Sequence, residues 1–318
     1  MIIARLIPQE TERYTKARKL VSQLDWLKLL RWDLFFVIWT YLLAGLGAAG
    51  MQNDRFLYWN KSLSLDATLL FIGVTFLLAG LFGLSNRRNI EASNLPKWTG
   101  NLFWGLAILG IISLLISHLL VLLPMALLIL VLGPLSGFSP FNLKQRSIKY
   151  FLIHGGAAAL LFLTGWLFKD GIISVGLWRG IPYLLGFWAV LLVYWIPLEV
   201  TEQNLPLKLS DNRLRFLFLI IAFTMTAGAT VLGFMNDDPV ISTAACVYLP
   251  FLIVALLFPP HFRHILRCRI YPIFILSMLV AVQQPWFLLP LGLNFWLLRS
   301  FHYLQSGFPQ PTFRVDYD

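Results

Sequence analysis

Glu199 and Glu202 stand three residues apart, just after a long apolar run ends. At that spacing two carboxylates share a helix face and could hold one cation together. Basic residues gather in two other polar stretches: Arg87 and Arg88 in SNRRNIEASNLPKWTGN, and Lys144, Arg146 and Lys149 in a loop that follows Pro140. Groups of this kind could bind a diphosphate or lipid headgroups, or could serve only to fix membrane topology. His261, His264 and Cys268 have the i, i+3, i+7 spacing of a one-faced metal site, but Arg263, Arg267 and Arg269 lie among them and oppose a bound cation. His118 and His154 sit near the ends of apolar runs, where a hydrogen-bonded structural histidine is at least as good a reading as a functional one. Trp188, Tyr194 and Trp195 could line a cation-stabilising chamber or simply pack and anchor a span.

The elements that must position these residues are set by hydropathy. Of 318 residues, 58% are apolar and 13% charged, and the mean hydropathy is +0.74. A soluble domain carries about a quarter charged residues, so the chain reads as a polytopic membrane protein. The spacing predicts spans over 33–51, 67–84, two helices within 102–138 turning near Ser117 and His118, then 151–168, 181–198, 216–235 and 240–258. The last run, Tyr271 to Leu298, is interrupted at Gln283, Gln284 and Pro285. One long kinked helix is the expectation there, with a two-pass or re-entrant ending as the alternative. The predicted fold is an all-α membrane bundle of about nine transmembrane helices over 33–300. A charged amphipathic segment, 1–32, precedes it, and a polar tail, 301–318, follows.

With the N-terminus in the cytoplasm, 19 of the 25 Lys and Arg residues fall on the cytoplasmic side and 6 outside. This is a positive-inside bias. It accounts for the formal charge of +10 without nucleic acid as a partner; a bacterial inner (plasma) membrane is the expected location. Cys246 and Cys268 imply neither a disulfide framework nor a four-ligand zinc site. The small-residue runs Ala44–Gly50 and Gly155–Ala159 permit close helix approach.

Three loops on the cytoplasmic side carry a resemblance. Pro140, Leu143, Lys144 and Arg146, with Gly165 and Trp166 in the next span, match the fourth loop of UbiA-type intramembrane prenyltransferases; Ser136, Gly137, Ser139 and Asn142 depart from it. Asn94-Leu95-Pro96 and Asn204-Leu205-Pro206 match the anchors that follow that family's two aspartate-rich motifs, with Ser210 near a glycine position. The resemblance implies nine helices, an apolar chamber and an Mg²⁺ ion bridging carboxylates and a prenyl diphosphate. The first motif's aspartate positions fall on Leu84, Arg87 and Glu91, and the second is reduced to Glu199 and Glu202. On this basis Glu91, Glu199 and Glu202 are the candidate metal ligands, and Arg87, Arg88, Lys144 and Arg146 the candidate diphosphate ligands.

The expected function is handling of an isoprenoid lipid, with prenyl transfer through a reduced Mg²⁺ site. One alternative is a catalytically inactive pseudoenzyme that binds lipid or stabilises a membrane-protein partner. Another is a small multi-pass transporter, which would need a polar path through the spans; Thr164, Thr224, Thr226 and Asn294 are the few residues available for one.

Overall fold

The computed structural model describes residues 30, 32–50, 65–89, 98–117, 119–129, 148–171, 175–196, 212–258 and 262–306. All the regular structure among them is helical. The helices are α1 (Trp32–Gly50), α2 (Leu65–Asn89), α3 (Trp98–Ser117), α4 (Leu119–Ile129, opening on a 3₁₀ turn), α5 (Ile148–Asp170), α6 (Gly180–Trp195), α7 (Asn212–Met235), α8 (Pro239–Leu257), α9 (Phe262–Gln283) and α10 (Leu288–Ser306). Among the described residues, six stretches are long and apolar enough to cross a membrane: Leu65–Leu84, Trp98–Ser117, Leu152–Asp170, Gly176–Tyr194, Arg215–Met235 and Pro239–Leu257. On α3 the side chains of Trp104, Ile108, Leu109, Ile112, Leu115 and Ile116 are exposed. An apolar surface of that kind suits lipid and not water. The chain is an all-helical, multi-pass membrane protein.

The positions expected from hydropathy agree with α1 to α3 and α5 to α8 to within a few residues; of the second helix expected within 102–138, the part beyond Ile129 lies outside the described residues. The last apolar run is not one kinked helix. It divides into α9 and α10, of 22 and 19 residues, around a 3₁₀ turn at Pro285–Phe287. Apolar residues alone could not make two helices of that length from this run. The polar flanks do the rest, since α9 starts back at Phe262 and α10 runs on to Ser306. Pro285 has no amide hydrogen to continue the helix, and the break falls there.

The chain groups into two compact units. One takes in Ile72–Ile112, together with the chain up to Phe36 and from Trp286; the other takes Val37–Phe71 and Ser113–Pro285. Within the first, α2 and α3 pair antiparallel through glycines. A Cβ on Gly80 would sit 2.6 Å from both the Ala107 nitrogen and the Phe103 carbonyl oxygen, and one on Gly110 would sit 2.7 Å from Leu77 Cα. In lipid there is no hydrophobic drive to bring helices together, so backbone approach of this kind supplies the packing.

The second unit holds α5 to α9 and most of α1. Gly45 of α1 lies against the Phe162 carbonyl, and Gly165 of α5 against the Leu42 carbonyl. Leu192, Val193, Leu219, Tyr248, Leu252 and Ile265 form part of one buried cluster drawn from α6 to α9. Gly171, at φ 72°, ends α5 in a conformation that suits glycine.

These approaches predict a contrast between two glycines of α5. Gly165→Val drives a side chain into the Leu42 backbone and is expected to destabilise by at least about 1–3 kcal/mol. Gly156 has open space around its Cβ position, so Gly156→Ala should be neutral or gain up to about 1 kcal/mol of helix propensity. Melting temperatures of the two variants in detergent check this. Equal losses would mean that the α1–α5 crossing is not close.

Candidate functional site

Within the second unit, α5 and α6 run antiparallel: Gly155 abuts the Trp188 ring, and Phe162 abuts Gly180 and Tyr183. The end of α6 therefore lies beside the start of α5. Arg269 of α9 holds that end. Its Nε donates to the Val193 carbonyl at 3.3 Å, and an amino group donates to the carbonyls of Tyr194, at 3.2 Å, and Ile196. The guanidinium also lies 5.1 Å from the centre of the Tyr194 ring. Carbonyls at a helix C-terminus have no partner in their own helix and carry the negative end of its dipole. Arg215, near the start of α7, does the same for α8, donating to the Ala255 carbonyl at 3.1 Å.

The starts of α5, α7 and α9 and the ends of α6 and α8 thus share one end of this unit. Lys149, Arg213, Arg215, Arg263, Arg267 and Arg269 are all on helices at that end. The segment with Lys144 and Arg146 enters α5 there, and the segment with Glu199 and Glu202 leaves α6 there. Those four residues and Glu91 lie outside the described residues. Arg87 and Arg88 fall in the last turn of α2, in the other unit.

Other residues singled out by spacing have different work. The Cys268 thiol is buried and donates to the Phe251 carbonyl at 3.3 Å, and His264 stacks on Phe258 with ring centres 6.0 Å apart. Neither arrangement serves a one-faced metal site with His261, which is outside the described residues, as is His118. His154 is half-buried in the second turn of α5. No group of three or more His, Cys, Asp or Glu side chains that could hold a metal occurs among the described residues. Trp188 packs on Gly155 and Tyr194 lies beside Arg269, so both rings are used in packing.

The opposite end of the unit holds a group that sequence reading passed over. α7 gives way to α8 within Asn236–Asp238. Asp237 takes φ 51°, a left-handed conformation that aspartate enters more readily than most residues. Its N–H donates to the Phe234 carbonyl at 3.1 Å, and the Asp238 N–H reaches back to the Gly233 carbonyl at 2.9 Å. This Schellman arrangement closes α7. Asp238 then opens α8: its Oδ1 accepts from the N–H groups of Val240 at 3.0 Å and Ile241 at 3.3 Å, with Pro239 as the first helical residue. Its Oδ2 accepts the Tyr183 hydroxyl of α6 at 2.9 Å. One carboxylate, 1% exposed, ties three helices together. Burial raises its pKa above the ordinary carboxyl value, while hydrogen bonds from Tyr183, Ile241 and Val240 and the charge of Arg179 pull it back. The signal in the sequence was Asp followed by Pro at the head of an apolar run, an N-cap pattern.

Below Asp238 is a cavity of about 30 Å³, lined by Tyr41, Tyr183, Thr226, Tyr248, Pro272 and Leu276 among others. It suits water-sized guests and is too small for a prenyl chain. Pro272 explains one of its walls. Proline has no N–H to give the carbonyl four residues back, and that carbonyl, on Cys268, instead accepts the Tyr248 hydroxyl at 2.9 Å. No protein-family profile, curated protein or solved structure matches this chain.

Two expectations follow. The folded-state pKa of Asp238 lies above the unfolded value, so the folded protein holds the proton more tightly, and stability falls as pH rises through that window. Asp238→Asn keeps an acceptor for the α8 amides; it should match the parent below the ordinary aspartate pKa of about 3.9 and melt progressively higher than the parent as pH rises above it. A constant difference between the two across that range would refute the assignment. Arg269→Ala should cost about 2 kcal/mol through lost charged hydrogen bonds, and Arg269→Lys should recover only part, because an ammonium cannot reproduce the planar fork. Chemical denaturation in mixed micelles reads both.

Proposed function

We propose that this chain is a divergent UbiA-like membrane protein that handles an isoprenoid diphosphate lipid at the basic end of the α5–α9 bundle. One observation carries the reading: the segment with Lys144 and Arg146 and the segment with Glu199 and Glu202 join the bundle at the same end, beside one another at the α5–α6 pair. This reading has the two segments bring opposite charges, suited to a diphosphate and its counter-ion, to one face. On this reading that face is cytoplasmic.

The donor set suits Mg²⁺ chemically, since Glu199 and Glu202 offer hard oxygens of the kind that bind Mg²⁺ together with substrate phosphates. When bound, the ion would offset charge on a departing diphosphate. The chain's own part is to grip: Lys144 and Arg146 by charge and hydrogen bonds, with the end of α6 steadied by Arg269. Arg87 and Arg88 lie on α2, which ends in the other unit, and are not part of this assignment.

The second reading, a pseudoenzyme that keeps the lipid site without the metal chemistry, rests on position 87. Arg87 stands where the family has an aspartate, and its positive charge opposes a bound cation at that position. A transport path draws less support. The hydroxyls of Thr164, Thr224 and Thr226 donate to carbonyls of their own helices, at 2.7, 3.0 and 2.8 Å.

Calorimetric titration with a non-hydrolysable geranylgeranyl diphosphate analogue separates these readings. Mg²⁺-dependent binding that weakens about tenfold or more in Glu199→Gln or Glu202→Gln is expected for the metal site, a loss of about 1.4 kcal/mol or more. Binding that ignores Mg²⁺ but needs Arg146 identifies the pseudoenzyme. No binding under either condition sinks the isoprenoid assignment.

A further inference from the structure

α9 ends on two adjacent glutamines that have almost no contact with solvent. Gln283 is 0% exposed and Gln284 1% exposed. Gln284 Nε2 donates to the Leu43 carbonyl of α1 at 3.3 Å, and its backbone N–H closes the last turn on the Val280 carbonyl at 2.9 Å. Its Oε1 has no hydrogen-bond partner, and Gln283 has none for either its nitrogen or its oxygen. Room for the Gln283 amide is made by Gly47 of α1: a Cβ there would fall against Oε1 and 3.2 Å from Cδ. The amide is seated in a gap that a glycine provides.

Enclosing an unpaired amide is expensive, about 2–7 kcal/mol by transfer from water. A leucine or methionine at 283 would fill similar space without that penalty. The unpaired atoms also define what would complement them. They are one NH₂ group and two amide oxygens, so both donor and acceptor capacity is left over. A cation would engage the oxygens and be repelled by the NH₂ group; an anion would do the reverse. A hydroxyl group donates to an oxygen and accepts from the NH₂ at once.

We propose that Gln283 and Gln284, seated against Leu43 and Gly47, form a buried site for a hydroxyl group, supplied by water or by the alcohol head of an amphiphile. The site lies at the seam of α1 and α9, on different elements from the segments that carry the diphosphate reading, and does not depend on it.

Gln283→Met tests the site because it keeps length and removes both polar atoms. If a hydroxyl completes the amide, the variant melts about 3 °C or more below the parent in lipid nanodiscs; an unchanged or higher melting temperature overturns the proposal. Adding dodecanol, with dodecane as control, separates the sources. A rise for the parent but not for Gln283→Met assigns the hydroxyl to an amphiphile, and no rise in a parent that Gln283→Met has destabilised assigns it to water. Should the variant fail to fold, an experimental map of the parent decides. A non-protein oxygen within about 3.2 Å of Gln283 Nε2 and of an amide oxygen of the pair supports the site, and a dry, directly packed pair rejects it.

Discussion

A helix leaves backbone groups at each end with no partner inside it, and lipid offers none. The second unit is organised by how it meets that constraint. Asp238 takes the leading amides of α8 while its own N–H finishes α7. Arg269 takes the trailing carbonyls of α6, Arg215 one from α8, and Tyr248 the carbonyl that Pro272 leaves without a donor. Each of these groups reaches across to a different helix or joins two, so satisfying a helix end and fixing a helix pair are one event. Removing such a group would expose a helix end and loosen a packing contact together.

This economy shapes how the basic residues are read. Topology needs Lys and Arg on one face, and the structure gives Arg215 and Arg269 further employment as helix caps. A basic cluster in a membrane protein is thus not in itself a ligand site. What distinguishes the segment with Lys144 and Arg146 is that it runs into α5 beside the end of α6, from which the segment with Glu199 and Glu202 runs on. The proposed lipid-handling role rests on that convergence and not on charge alone.

The polar groups that stay inside follow a different logic. Threonine hydroxyls on α5 and α7 are consumed by their own helix backbones. The Tyr183–Asp238 pair is satisfied on both sides. Gln283 and Gln284 are enclosed with both donor and acceptor capacity left over, and in a low-dielectric interior an imbalance of that kind bears on what the protein can hold.

How much of this was legible beforehand follows from the range of each interaction. Hydropathy over about twenty residues placed α1, α2, α3 and α5 to α8, because spanning length is a local property. The small-residue runs of α1 and α5 announced close crossings, also from short patterns. Tertiary structure alone decided that the last run splits at Pro285, since the split required polar flanks to become helical. It alone decided that Arg269 would cap a helix ending more than seventy residues earlier, that Cys268 would turn to a carbonyl, and that Asp238 would be enclosed. Sequence determines which segments become helices because that balance is struck within each segment. Which polar group answers which helix end is set by packing between segments, and spacing along the chain carries no record of it.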